Sequence, residues 1–73
     1  MVIEFSKGRL ILTNNEIQAK LNQGQVTFYA MAEDLKVISD ALLLVADAGA
    51  VRWTLTLDNR EQLDVIIEQL QLI

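Results

Sequence analysis

Three carboxylates, Glu61, Asp64 and Glu68, recur at intervals of three and four, the spacing that stacks side chains on one side of a helix. At about 100° per residue they fall within about 60° of one another, and such an acidic ridge could attract Mg²⁺ or Ca²⁺ weakly through its hard oxygens. The competing reading, a solvated face opposite a buried stripe, is the one the sequence favours. A calcium loop spaces its ligands through a turn containing glycine, and the glycines here stand alone at 8, 24 and 49. Their isolation also argues against a phosphate cradle, which needs clustered glycines leading into a helix. Ser6 and Ser39 are the only serines, and neither occupies a Gly-x-Ser-x-Gly turn. With no His and no Cys, the commonest general base, the thiol nucleophile and the soft metal ligands are missing. Paired carboxylates could still converge in space, but no pair stands out. The expectation is a protein that is not an enzyme and uses no cofactor or metal.

Residues suited to recognition are easier to find. Val51 to Leu57 alternates, with Val51, Trp53, Leu55 and Leu57 on one side and Arg52, Thr54 and Thr56 on the other, as in a strand with one buried face. Tyr29 and Thr27 on an earlier strand, with Lys20 and Gln18 on its neighbour, are expected on the same uncovered face. Tyr29, Arg52, Thr54 and Thr56 then form a candidate partner surface, on which Tyr29 stacks and Arg52 pairs with an acidic group. Threonine and tyrosine also suit exposed strands for their β-propensity alone.

The elements that must position these residues follow from hydrophobic spacing. Residues 2–31 alternate with a period of two and predict an antiparallel meander, with strands near 2–7, 9–13, 16–21 and 25–31. Lys7-Gly8, Asn14-Asn15 and Asn22-Gln23-Gly24 supply turn residues between them, although Asn14-Asn15 could instead bulge one longer strand. A helix is predicted from about Glu33 to Ala48, with acidic residues at its start and Gly49 placed as a left-handed C′ residue. Its apolar arc is broad: Leu35, Ile38, Ala41, Leu42, Val45 and Ala46 form a stripe that Val37, Leu44 and Ala48 widen to roughly 200°, with Leu43 outside even that. Either the helix touches both the sheet and a second helix, or another subunit covers part of it. Val37, Leu43 and Leu44 are accordingly a candidate self-interface. After the strand at 51–57, Asp58 or Asn59 caps a second helix; with Asp58 as cap, Glu61 takes the N3 place of a capping box. Leu63, Ile66, Ile67, Leu70 and Ile73 follow as its buried stripe.

The architecture expected is a single α+β domain over residues 1–73, a two-layer sandwich. A mainly antiparallel sheet of about five strands, in the order ββββαβα, carries both helices on one face. The segment from Gln25 to Leu57 would make a right-handed crossover.

Composition narrows the class further. A chain of 73 residues buries only about 60% of its unfolded surface, yet its 52% hydrophobic content excludes general disorder. Without cysteine there is no disulfide framework, so stability must come from packing. The opening Met-Val-Ile-Glu-Phe lacks the basic and apolar regions of a signal peptide, and the longest apolar run is too short for a bilayer; a cytoplasmic location is expected. Lys7, Arg9 and Lys20 against Glu4 and Glu16 give residues 1–32 a net +1, whereas residues 33–73 hold three basic and eight acidic groups, a net −5. So acidic a chain is poorly suited to neutralising phosphates, which argues against nucleic acid as partner.

The opening Met1-Val-Ile-Glu-Phe-Ser-Lys-Gly-Arg-Leu-Ile-Leu-Thr13, and the chain taken end to end, resembles the short uncharacterised proteins grouped as a domain of unknown function in Vibrio-like marine bacteria. The resemblance implies a bacterial cytosolic protein of about this length and transfers no activity or site residue.

Two functions remain. The first is a small protein-protein interaction module that self-associates, a C2 dimer covering Val37, Leu43 and Leu44 in one step. The alternative is a small-molecule-binding or accessory protein with a pocket between sheet and helices.

Overall fold

The alternation of residues 2–31 becomes a four-stranded antiparallel meander: β1 (Val2–Phe5), β2 (Gly8–Leu12), β3 (Glu16–Leu21) and β4 (Thr27–Met31), paired in that order. The computed structural model describes residues 1–24 and 26–72, so Gln25, expected to open the fourth strand, and Ile73, expected on the last helix, lie outside the described residues. Asn14-Asn15 is a turn and not a bulge, because β2 and β3 pair across it with Leu12 opposite Ile17. Register sets Ile3, Leu10, Ala19 and Phe28 in one row of the inner face, and Leu12, Ile17 and Ala30 in another. Gly8 belongs to β2 itself, between Phe5 and Leu21. A Cβ there would lie 2.0 Å from the carbonyl oxygen of Lys20, so the close approach of the strands requires glycine.

The helix expected over residues 33–48 is not formed. That stretch folds as a 3₁₀ turn (Ala32–Asp34), strand β5 (Leu35–Ile38), a second 3₁₀ turn (Ser39–Ala41) and strand β6 (Leu43–Asp47). With β7 (Arg52–Thr56) these make a second antiparallel sheet in the order β5-β6-β7. Among the described residues, a five-stranded sheet under two helices is therefore replaced by sheets of four and three strands and a single α-helix, α1 (Arg60–Leu70). The crossover disappears too: every pairing among the described residues is antiparallel.

The physical reason lies in the breadth of the apolar arc. A strand that is apolar on both sides, with Leu44 and Ala46 inward and Leu43 and Val45 outward, mimics a helix with too wide a stripe. Val37, Ile38 and Val45 are β-branched, which disfavours helix and fits the pleat. Gly49 has positive φ as expected, 83°, but it turns the β6–β7 hairpin, where its N–H also donates to Asp47 Oδ1 (3.0 Å). Two-residue hairpin connections need that sign of φ.

Helix α1 is capped by Asn59, whose side chain accepts the Gln62 N–H (3.0 Å), while Gln62 Oε1 accepts the Asp58 N–H (2.9 Å). Of the two candidate caps it is the second that serves, and Glu61 has no part in the cap. Leu63, Ile66 and Leu70 are buried, as their spacing predicts. The two sheets and the helix share one core, in which Leu10, Leu12, Ile17, Leu44, Leu55 and Ile66 are central. Trp53 joins the sheets: its ring stacks on Phe28 with centroids 5.6 Å apart, and its Nε1 donates to the Tyr29 carbonyl at 3.0 Å. No polar or charged side chain is buried among the described residues. Each large core side chain then contributes about 1.5–3 kcal/mol by leaving water.

Candidate functional site

With an apolar interior, polar chemistry is confined to the surface, and both outer sheet faces combine it with exposed apolar groups, Val2, Tyr29 and Met31 on the first and Ile38 on the second. Alternation sends Leu35, Val37, Leu44, Ala46, Trp53 and Leu55 toward the core and their neighbours outward. Register then assembles the outer face of the second sheet in rows: Ile38, Leu43 and Thr56 in one, Lys36, Val45 and Thr54 in the next, Asp47 and Arg52 in the last. Ile38 is 50% exposed, and Leu43 and Val45 are half-buried beside it. Thr54 and Thr56 border this strip, and the Arg52 Nε lies 3.3 Å from Asp47 Oδ1 at its end. The arrangement offers van der Waals contact with hydroxyl and guanidinium donors at its rim. It presents no nucleophile beside a base.

Arg52, Thr54 and Thr56 thus share a face, as their alternation implies. Tyr29 does not join them. It stands on the outer face of the first sheet, in a row with Gln18, Ile11 and Val2, and its hydroxyl accepts a hydrogen bond from Gln18 Nε2. Lys20 and Thr27 lie opposite each other on that same face. Of the candidate self-interface, Leu43 faces outward, whereas Leu44 is fully buried and Val37 lies opposite it on the inner face. The helix that was to present all three together is absent. Ile38 and Val45, members of the strip, escaped the sequence reading because they were placed in that helix; reading 35–38 and 43–47 at period two would have found them.

The carboxylates have local partners. Asp64 Oδ1 accepts from Arg60 Nε at 3.1 Å, Glu61 and Glu68 are exposed, and no metal-holding group of three acidic side chains occurs among the described residues. Asp58 accepts from both the backbone N–H (2.8 Å) and the hydroxyl (2.5 Å) of Ser6. Those Ser6 hydrogen bonds hold its carboxyl below the usual aspartate value of 3.8. No local spacing signals this contact, since its partners are 52 residues apart. It ties the start of α1 to the β1–β2 turn. Ser39 sits in the second 3₁₀ turn, where its carbonyl accepts the Leu42 N–H (3.1 Å).

The layer between sheets and helix is occupied by the apolar core, and hollows lie on the surface instead. One, of about 420 Å³, is bounded by the turn residues Ser6, Lys7, Asn22 and Gln23 with Leu21.

A family model described as a protein of unknown function (DUF3389) matches residues 1–72. The chain belongs to that family. The DUF3389 match bears out the resemblance of the chain, taken end to end, to a domain of unknown function. No curated protein and no solved structure matches the chain. Among the described residues of this DUF3389 protein, no helix is long and apolar enough to cross a membrane.

Proposed function

We propose that this DUF3389 chain acts as a single non-enzymatic interaction domain in the cytoplasm, and that it self-associates through the exposed side of its second sheet. The observation that carries the reading is the strip of Ile38, Leu43 and Val45 on a face bordered by Thr54 and Thr56. Apolar centre and polar rim are the anatomy of a protein interface. Charge supports a second copy: the chain carries −4 overall, yet the only carboxylate in these rows, Asp47, is paired with Arg52. Two copies can therefore meet here without opposing unpaired carboxylates. A stable interface usually buries about 800 Å² per partner, more than this strip alone provides, so the association is weak and reversible. Light scattering over a concentration series should show mass rising toward twice that of the chain. A strict monomer at high micromolar concentration overturns the reading.

A further inference from the structure

The two sheets have four edge strands, and on three of them one outward-facing backbone group is already engaged within the chain. Met1 and Leu12 exchange hydrogen bonds through the Met1 amino group and carbonyl. Such pairs alternate along an antiparallel ladder, so Glu4 points its N–H and C=O away from β2, and Gln62 Nε2 donates to that carbonyl at 3.3 Å. On β4 the bonds Leu21 N–H to Val26 O and Ala32 N–H to Asn15 O fix the same alternation. Tyr29 therefore faces the open edge, and its carbonyl is taken by Trp53 Nε1. On β5 the Leu35 N–H turns back to Ala32 O.

β7 differs. Ala48 N–H donates to Val51 O and Leu57 N–H to Leu42 O, which sets 46 with 53 and 44 with 55 as hydrogen-bonded pairs. Arg52, Thr54 and Thr56 must then turn their N–H and C=O groups to the open edge. None of these groups has a partner among the described residues, and all three residues are exposed. Edges are commonly blunted by Lys, Pro, a bulge or a covering segment. β7 contains neither Lys nor Pro, its register with β6 is unbroken, and its one charge, Arg52, is engaged by Asp47 of the same sheet.

We infer that β7 pairs antiparallel with β7 of a second copy, about a two-fold axis at Thr54, fusing two three-stranded sheets into one. The inference rests on the self-association proposed above and moves its contact from the face of the second sheet to that sheet's edge. Opening residues recur at every second position, so this register sets Thr54 against Thr54 and Arg52 against Thr56, each pair exchanging both N–H···O bonds. Arg52 never faces itself. The symmetric contact is thus self-complementary in backbone and hydroxyl groups, and it brings the two apolar strips onto one continuous outer face.

The chain has no cysteine, which allows a clean test. In this register the two residue-54 Cα atoms stand about 5.5 Å apart, within disulfide reach. Under mild oxidation, at a concentration where the unmodified chain associates, Thr54→Cys should become mostly a reducible covalent dimer, while Thr27→Cys, on the other sheet, stays mostly single. Thr54→Lys, which opposes two ammonium groups across the axis, should weaken association at least tenfold with an unchanged far-UV spectrum. If Thr54→Lys does not fold, the relative cross-linking rates decide alone. Equal cross-linking of the two cysteine variants, or undiminished association of a folded Thr54→Lys, overturns edge pairing and leaves self-association standing. Loss of dimer in Leu43→Glu with Thr54→Lys unaffected would move the contact to the face and likewise overturn it. An unmodified chain that never associates sinks both.

Discussion

The two sheets bury alike and expose differently. Each is an antiparallel meander whose inner side is apolar, and the two inner sides join with α1 in one core. Outward, the first sheet sets its charges in one row, Glu4 opposite Arg9 and Arg9 opposite Lys20, and side chains of Trp53 and Gln62 reach its edges. The second sheet turns Ile38, Leu43 and Val45 outward and leaves β7 unguarded. Folding accordingly depends on what the sheets have in common, and recognition on what separates them.

The sharpest way to break the common part is Ile66→Asp. Ile66 is fully buried in the shared core, and an unpaired carboxylate there should cost more than about 4 kcal/mol, enough to unfold a domain of marginal stability. Both sheets should be lost in one step by circular dichroism; a native melting temperature would contradict the shared core. A middle-sized effect separates the sheets by their glycines. Gly8→Ala drives a methyl group into the Lys20 carbonyl and should cost about 1–3 kcal/mol through overpacking. Gly49→Ala meets nothing within 4 Å and carries only the left-handed backbone penalty of about 1–2 kcal/mol. Thermal melts should rank Gly8→Ala as the less stable of the two, and the reverse order would mean that β2 and β3 can separate to admit a side chain.

The smallest effect concerns the tie between first sheet and helix. Because Ser6 lowers the Asp58 pKa, its stabilising contribution is fully present above the ordinary value of 3.8 and is lost as pH falls through the depressed one. Ser6→Ala removes the hydroxyl bond, the larger cause of the shift, and leaves the backbone N–H bond in place. Melting temperatures of Ser6→Ala and the unmodified chain should differ at neutral pH and converge in acid, whereas a constant gap would deny Asp58 its role.

The first sheet was legible in the sequence because its strands are short, separated by turn residues, and in β3 apolar on one side only. In β3, Ile17 and Ala19 are buried while Glu16 and Lys20 are exposed, so period two is unmistakable. The second sheet was not. Leu42 to Ala46 is apolar at every position, and a run of that kind has no readable period. Glu33 and Asp34, taken as a helix start, belong to a 3₁₀ turn instead. Part of the recognition face survived the error, since Arg52, Thr54 and Thr56 are set in phase by Trp53 and Leu55 whatever lies beside them. Leu43 and Leu44 could not survive as a pair, because adjacent strand residues point to opposite sides. Tyr29 was misplaced by topology: one expected sheet became two.

Among the described residues, every strand bonds only to strands adjacent to it in the chain. Each ladder closes over a few residues, so the entropy of forming it is small and does not wait on distant segments. Each sheet can therefore form from its own short stretch of chain, and docking of the two sheets with α1 is the step that joins segments distant in sequence.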